Sequence, residues 1–150
     1  MADGEDLFPD RPPISEGEWA GWRLWVGSDP FEDLTGPYYS RQEADGGLVS
    51  AFRAEPRHMN GGGFMHGGAL LTFADFSLFV IGREALQRAP AVTISLNGEF
   101  VSSARAGDLI ESRGEVVRAG GSLVFMRGLI SSEGRTLMSF SGVVKRMGKR

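Results

Sequence analysis

The chain has 150 residues, a net charge of −3, and 41% hydrophobic and 23% charged residues, which is typical of one globular domain rather than a disordered chain. It contains no cysteine, so disulfides, thiolate metal sites and a cysteine nucleophile are excluded. The weak negative charge provides no field that would attract nucleic acid, and we expect no nucleic-acid partner.

The sequence also predicts no membrane partner. The most apolar run, residues 67–82, has 16 residues and contains Asp75, whereas a membrane span needs roughly 20 apolar residues. The acidic start, MADGEDLFPD, lacks the apolar segment of a signal peptide. We therefore expect a cytoplasmic protein.

Residues 1–33 are expected to form an N-terminal arm and a short helix, and residues 34–150 the main domain. Prolines and acids in residues 1–13 predict a flexible arm. Ser15 and Glu18 have the spacing of a capping box, which predicts a short helix. The apolar side of this helix would hold Trp19, Trp22, Leu24, Trp25 and Val26. The following stretch, SDPFEDLTGPYY, predicts a turn with one helical turn and then a strand.

The middle of the chain predicts a hairpin, a loop and one long helix. YYSRQE and GLVSAFRAE are strand-like and are separated by ADGG, a good hairpin turn. Three consecutive glycines in PRHMNGGGFMHGG predict a loop. The helix is expected to run from Gly67 or Gly68 to about Leu86.

Four strand-like segments follow the helix: AVTISLNGEFV, DLIESRGEVVR, SLVFMRGLIS and RTLMSFSGVVKR. Alternation in the first of them predicts one shared face for Val92, Ile94, Leu96 and Phe100. Tight turns between the segments predict an antiparallel meander. Because a lone helix must lie across a sheet, we predict an α+β fold with a curved antiparallel sheet around one long central helix. The other side of the helix would need a second copy of the chain to cover it.

Asp75 is the one charged residue in the apolar run 67–82, and its position suggests a site between two chains. A helix that begins at Gly67 has free N–H groups and a partial positive charge, which can stabilise a developing oxyanion. Asp75 lies eight residues further, about 12 Å along the helix, so one chain cannot bring both groups to one carbonyl. An antiparallel second helix could place each Asp75 beside the partner's glycine. The alternative is a structural Asp75, satisfied by a cap or by Thr72.

Other site types fit the sequence poorly. His58, expected at the surface or in a loop, and His66 lie eight residues apart without cysteine, so no metal site is expected. The HGGA segment is similar to the oxyanion loop of esterases, but that fold also needs a G-x-S-x-G elbow, which the chain does not contain. The GGG segment does not fit the pattern of a phosphate-binding loop.

The segment NGGGFMHGG followed by Asp75 resembles the hotdog-fold acyl-CoA thioesterases, particularly the phenylacetic-acid-pathway-like subgroup of the 4-hydroxybenzoyl-CoA thioesterase superfamily. The match consists of Asn60, His66 six residues later, the Gly67–Gly68 pair, and Asp75 nine residues after the histidine. It covers roughly residues 34–146. The resemblance implies a hotdog fold, homodimers that often pair into homotetramers, and acyl-CoA hydrolysis at subunit interfaces. Coenzyme A would be part of the substrate, with no separate cofactor.

The resemblance also implies roles for individual residues. The Gly67 N–H would polarise the thioester carbonyl, and Asp75 of the opposite subunit would act as nucleophile or general base. Asn60 would position the thioester or water, and His66 would support the loop. The implied substrate-binding positions are Gly68, Thr93 and Phe79, the last at a place where the family sometimes has a hydroxyl residue.

Two alternatives remain open at the level of sequence. One is a hotdog hydratase or dehydratase acting on enoyl or hydroxyacyl thioesters, with Asp75 and His66 as its acid–base pair. The other is a non-catalytic module that binds acyl-CoA or assembles with itself.

Overall fold

The computed structural model of the protein describes residues 4–148, and its strands and helices occur largely in the predicted order. They are β1 (Arg23–Trp25), α1 (Pro30–Thr35), β2 (Tyr38–Gln42), β3 (Leu48–Arg53), a 3₁₀ turn (Pro56–His58), α2 (Gly67–Ile81), α3 (Arg83–Leu86), β4 (Ala91–Phe100), β5 (Leu109–Ala119), β6 (Leu123–Ser132) and β7 (Arg135–Arg146). The predicted hairpin is confirmed as β2 and β3, and the four predicted strands after the helix are confirmed as β4 to β7.

All seven strands belong to one antiparallel sheet in the order β1-β2-β3-β5-β6-β7-β4. The predicted meander holds for β5 to β7 but is wrong for β4, which pairs with β7 at the far edge rather than with β5. Helix α2 lies across this sheet and contacts β3 and all four later strands. Its large apolar side chains, Phe73, Phe76, Leu78 and Val80, are buried in the core. The predicted α+β architecture, a curved sheet around one long central helix, is confirmed.

Glycines in the strands allow α2 to lie close to the sheet. A Cβ atom at Gly142 would lie 2.4 Å from Cδ1 of Leu78, and one at Gly114 would lie 2.6 Å from Cδ1 of Ile81. Neither distance is tolerated between real carbon atoms, so larger residues at these positions would push the helix outward. Some of the 22 glycines of the chain therefore serve helix–sheet packing rather than turns.

The long helix ends earlier than predicted. Helix α2 stops at Ile81, and α3 begins after Gly82. A Cβ atom at Gly82 would lie 2.6 Å from Sδ of Met126, so this position packs against β6 where only glycine fits. Within residues 4–148, no helix combines the length and the apolar character of a membrane span.

The predicted helix around residues 15–26 is wrong. Residues 16–21 form bends and turns, and the chain then enters β1, which pairs with β2. Trp19 stacks on Tyr39 with ring centroids 3.8 Å apart, and Trp22 is buried against β3. These aromatic side chains cover the outer face of the sheet, and that contact outweighs the local capping signal.

The predicted flexible arm is also wrong for the residues that the structure describes; residues 1–3 of that arm lie outside them. Phe8 is 1% exposed and packs edge-on against Trp25, with ring centroids 6.1 Å apart. The guanidinium group of Arg83 lies 5.0 Å from the centre of the Phe8 ring. This segment therefore shares the core of the remaining chain, and the domain boundary drawn at residue 34 stays a prediction.

Strand β4 forms one edge of the sheet and does not alternate as predicted. The sequence predicts one face for its four large apolar residues, Val92, Ile94, Leu96 and Phe100. The pairing with β7 shifts at Ile94, between Thr93 and Ser95, which is a β-bulge. Thr93 contacts α2 and Leu96 packs against the core, although an uninterrupted strand would place them on opposite faces. Val92 and Ile94 stay about half exposed, at 46% and 54%.

Candidate active site

Helix α2 begins with a single free N–H group. The backbone of His66 is extended, and its Nδ1 accepts a hydrogen bond of 2.8 Å from the Gly68 N–H. Its carbonyl accepts the Ala69 N–H at 2.9 Å. The Gly67 N–H has no acceptor among residues 4–148. This donor therefore remains available at the positive end of the helix, where an anionic oxygen is stabilised.

Both glycines of the predicted pair sit where a side chain would not fit freely. A Cβ atom at Gly67 would lie 3.1 Å from Cζ of Phe100, at the end of β4. A Cβ atom at Gly68 would lie 2.9 Å from Nδ1 of His66, the atom that caps the helix. The sequence did not single out Phe100, whose half-exposed ring forms an apolar border beside the free N–H.

Asn60 organises the glycine loop before the helix. Its Oδ1 accepts hydrogen bonds from the N–H groups of Gly62 and Phe64, at 2.9 and 3.1 Å. Its backbone N–H donates to the Phe64 carbonyl at 2.7 Å. Its side-chain nitrogen makes no hydrogen bond within the described part of the chain, so that donor is free for a ligand.

Asp75 lies about two turns along α2 and is half-buried. Its Oδ1 accepts a hydrogen bond of 2.7 Å from the Thr93 hydroxyl on β4, and its Oδ2 has no hydrogen-bond partner among residues 4–148. The structural alternative, in which Thr72 satisfies Asp75, is wrong, because the Thr72 hydroxyl donates to the Gly68 carbonyl at 2.8 Å. One carboxylate oxygen is thus held in place and the other is open.

A groove between α1 and α2 runs past Asp75. A cleft of about 330 Å³ beside this carboxylate is lined by Asp29, Phe31, Glu32, Leu71, Thr72 and Asp75. A second cleft, of about 570 Å³, extends toward His66 and Gly68 and shares Phe31 and Thr72 with the first. We call the first of these the Asp75 cleft.

Glu32 is a polar residue of the Asp75 cleft that the sequence interpretation missed. Burial, with the nearby carboxylates of Asp29 and Asp75, raises the pKa of Glu32 to about 7. Its carboxyl group has no hydrogen-bond or ion-pair partner among the described residues. The Asp29–Pro30 pair does signal the start of α1, but the direction in which Glu32 points depends on how α1 packs on α2.

Phe79, an implied substrate-binding residue, and its neighbour on α2, Ser77, do not line the Asp75 cleft. Phe79, one turn further along α2, is half-buried and lines a separate cleft with Trp25 and Arg83. Ser77 is fully buried and donates to the Phe73 carbonyl at 2.7 Å. A substrate contact for Phe79 stays a prediction.

His58 is not a surface residue, and that expectation is wrong. It is 7% exposed, and its Nδ1 accepts the Glu55 N–H at 3.0 Å. Its Nε2 lies 2.6 Å from the Thr35 carbonyl, to which it donates. Both ring nitrogens are therefore satisfied, which makes burial of the neutral ring inexpensive. Among residues 4–148, no three potential ligands are grouped to hold a metal ion.

The free Gly67 N–H and the Asp75 carboxylate do not meet within one chain. The free Gly67 N–H can polarise a carbonyl, and Asp75 can attack it or activate water. The two groups lie on the same helix, about 12 Å apart along its axis at 1.5 Å per residue. A single carbonyl cannot reach both groups of one chain.

Comparison with known proteins identifies a family and relatives of similar sequence. A family model described as the thioesterase superfamily matches residues 62–139. A proposed esterase of Pseudomonas aeruginosa is 40% identical over 126 residues, which cover 82% of this chain and 92% of that protein. Human acyl-coenzyme A thioesterase 13 is 28% identical over 96 residues, which cover 63% of this chain and 68% of that protein.

Solved structures share the fold. The TT0310 protein of Thermus thermophilus superposes with a TM-score of 0.68 at 29% identity, covering 81% of this chain and all of that one. The PaaI protein from the phenylacetic acid degradation operon of Escherichia coli has a TM-score of 0.69 at 21% identity, with coverages of 81% and 86%. A hypothetical thioesterase of Streptococcus pneumoniae with coenzyme A has a TM-score of 0.67 at 22% identity, with coverages of 80% and 94%.

Proposed function

Because this chain belongs to the thioesterase superfamily and is a thioester hydrolase of hotdog fold, as its sequence resemblance predicted, we propose that it hydrolyses acyl-CoA at sites shared between two copies. The observation that carries the proposal is the pair of half-sites on α2: a free Gly67 N–H at its start and an open Asp75 carboxylate two turns later. Acyl-CoA is favoured because a human relative is an acyl-coenzyme A thioesterase and one structural neighbour was solved with coenzyme A.

The open edge of the sheet supports pairing of two chains. Strand β4 is ten residues long, ends the sheet, and exposes about half of Val92, Ile94 and Phe100. A long apolar edge strand of this kind is an association site unless something covers it. Two-fold pairing of β4 edges would bring two α2 helices together in antiparallel fashion, with Asp75 of each chain facing the partner's glycine. Further pairing into tetramers stays a prediction.

In the proposed reaction, the Gly67 N–H donates to the thioester carbonyl oxygen and stabilises the negative charge that develops there. The Thr93 hydroxyl holds Oδ1 of Asp75, which leaves Oδ2 to attack the carbonyl carbon or to take a proton from water. The carbon–sulfur bond then breaks: if water has attacked, Asp75 passes the proton to the departing thiolate, and if Asp75 has attacked, water hydrolyses the acyl–Asp75 anhydride and supplies that proton. One water molecule is consumed, and a carboxylic acid and the free thiol of coenzyme A are released. Asn60 and His66 would keep the loop and the start of the helix in shape.

Replacing Asp75 by Asn tests the reaction. Asn retains an oxygen that can accept the Thr93 hydrogen bond, so the fold should persist while the base is lost. We expect thiol release to fall about a thousandfold or more, within the range of general-base contributions. Asp45→Asn is the matched control, because Asp45 only accepts the Gly47 N–H in an exposed turn. Undiminished thiol release by Asp75→Asn would refute the assignment.

Mixed dimers test whether the sites are shared. Gly67→Pro removes the free N–H, and proline is well tolerated at the first position of a helix. Gly67→Ala, which keeps the N–H, controls for crowding against Phe100. Dimers that combine a Gly67→Pro chain with an Asp75→Asn chain should recover about half of the wild-type activity, because one of the two shared sites is intact. Sites contained in one chain would give no recovery.

Hydration of an enoyl thioester would need His66 as an acid or base beside Asp75. In this structure Nδ1 of His66 is engaged in capping α2, and no observation favours that chemistry. Loss of enoyl-thioester absorbance without thiol release would indicate a hydratase. Binding of acyl-CoA without turnover would indicate the non-catalytic module, which family membership disfavours.

A further inference from the structure

Helix α1 is held firmly beside the Asp75 cleft. Nε2 of His58 donates to the Thr35 carbonyl at 2.6 Å, and the Tyr38 hydroxyl donates to the Thr35 hydroxyl at 2.9 Å. The guanidinium group of Arg57 donates to the Leu34 and Gly36 carbonyls. The buried His58 and Tyr38 therefore fix α1 relative to α2. The side chains that α1 presents to the cleft form a preorganised wall rather than a loose flap.

The Asp75 cleft combines apolar walls with one unpaired carboxyl group. Phe31 and Leu71 provide apolar surface, and Glu32 has no hydrogen-bond or ion-pair partner within residues 4–148. A volume of about 330 Å³ suits a short acyl chain or a single ring. A ligand that fills the cleft with hydrocarbon alone would desolvate Glu32 and leave it unpaired.

Charge decides which end of the substrate can enter. Asp29, Glu32 and Asp75 all border this cleft, so the phosphates of coenzyme A would be repelled from it. The acyl group of the substrate, unlike coenzyme A, need not carry a negative charge. Burial and the nearby carboxylates raise the pKa of Glu32 to about 7, because Arg11 offsets only part of the negative charge at this position.

We propose that the Asp75 cleft receives the acyl group of the thioester and that Glu32 selects acyl groups whose far end carries a hydrogen-bond donor. This inference rests on the proposed thioester hydrolysis at Asp75. A terminal hydroxyl or ammonium group would satisfy Glu32, a methyl group would leave it unpaired, and a carboxylate would be repelled. Glu32 is thus a specificity-determining residue that takes no part in bond cleavage.

Acyl-CoA esters of equal length but different ends test the selection. The short set is butyryl-, 3-hydroxypropionyl- and β-alanyl-CoA, and the long set is heptanoyl-, 6-hydroxyhexanoyl- and 6-aminohexanoyl-CoA. In at least one set, we expect the wild-type kcat/KM for a donor-ended ester to exceed that for the methyl-ended ester about tenfold or more. Equal kcat/KM values within both sets would overturn the proposal.

Variants of Glu32 complete the test. Glu32→Leu should remove the preference and hydrolyse the methyl-ended esters several-fold faster than wild type, which also demonstrates a folded enzyme. Glu32→Gln should keep the preference for hydroxyl and lose that for ammonium. Glu16→Leu, at an exposed turn residue, makes the same change of charge and should leave every ratio unchanged.

The failures of the two proposals are distinguishable. A wild-type protein that hydrolyses none of the esters contradicts the proposed function itself. A wild-type enzyme that is active, but whose ratios do not change in Glu32→Leu, contradicts only the selection. An equal loss for all esters in Glu32→Leu would place Glu32 against the pantetheine arm, and that result would also overturn acyl selection.

Discussion

The two edges of the sheet differ in length and in how they are covered. Strand β1 forms one edge with three residues, and the segment before it wraps around that edge. Trp22 is 6% exposed on the outer face, while Phe8 is 1% exposed on the helix side. The Arg23 side chain donates to backbone carbonyls of that segment. Strand β4 forms the other edge with ten residues, and Val92 and Ile94 remain about half exposed on it.

One edge is thus closed within the chain, and the other is the edge at which we propose association. A short, covered edge strand prevents pairing with other chains, whereas a long apolar edge promotes it. The open edge also carries Thr93, which holds Asp75 in place. Under the proposed function, assembly and chemistry would depend on the same strand, and substitutions at the two edges should have different consequences.

The largest expected effect is at the closed edge. Trp22→Ala would leave a cavity under the guanidinium group of Arg41, which lies 4.3 Å from the Trp22 ring. We expect a loss of about 3–5 kcal/mol in the free energy of unfolding, measured with urea at fixed protein concentration. Oligomer size should not change. Trp22→Phe keeps an aromatic ring and should lose less; equal losses would mean that ring packing does not close this edge.

A charge on the open edge should break assembly. Ile94→Lys places a lysine at the bulge of β4, and we expect a monomer with thiol release reduced about a hundredfold or more, because each site would lose its second chain. Light scattering and circular dichroism would report mass and folding. Val26→Lys makes a similar change just after β1, where Val26 is 47% exposed, and should change neither the oligomer mass nor thiol release. A dimeric, active Ile94→Lys protein contradicts the assignment of this edge.

Thr93→Val separates chemistry from assembly on the open edge. Valine has a similar shape but cannot donate to Oδ1 of Asp75, so the dimer should persist while kcat falls about tenfold, the worth of one hydrogen bond to a charged group. Thr93→Ser retains the hydroxyl and should restore most of kcat. If valine and serine behave alike, the hydroxyl does not orient Asp75.

The smallest expected effect is on the pH dependence of stability, through Glu32. This residue lies on α1, which follows the closed edge in the chain and lines the Asp75 cleft. Its pKa rises from an ordinary value of 4.5 to about 7 in the folded chain, so the folded state binds this proton more tightly than the unfolded state. The resulting stability is fully present below pH 4.5 and is lost as pH rises through 7. Glu32→Gln should therefore gain stability over wild type at pH 8 but not at pH 4. We expect about 1 kcal/mol or less, because the side chain is partly exposed to solvent. Urea unfolding of wild type and Glu32→Gln at pH 4 and pH 8 measures this gain. An equal gain at both pH values would contradict the raised pKa of Glu32.

The site motif could be predicted from sequence because its parts are close in the chain. His66 caps α2 through Gly68, and Asp75 follows at a helical spacing, so local geometry alone relates them. The prediction that a second chain completes the site followed from the same spacing. The positions of β2 to β7 along the chain were readable from strand-like residues and from turn residues, whereas β1 and the place of β4 in the sheet were not.

Only the tertiary structure decided the features that depend on distant contacts. Ser15 and Glu18 carry a capping signal, yet the packing of Trp19 on Tyr39 and of Trp22 on β3 makes that segment a wrapped edge. The bulge at Ile94 is set by pairing with β7, and no local pattern marks it. Glu32 meets Asp75 because His58 and Tyr38 anchor α1. Local propensity amounts to fractions of a kcal/mol per residue, whereas burying one aromatic side chain is worth more, so tertiary packing prevails where the two disagree.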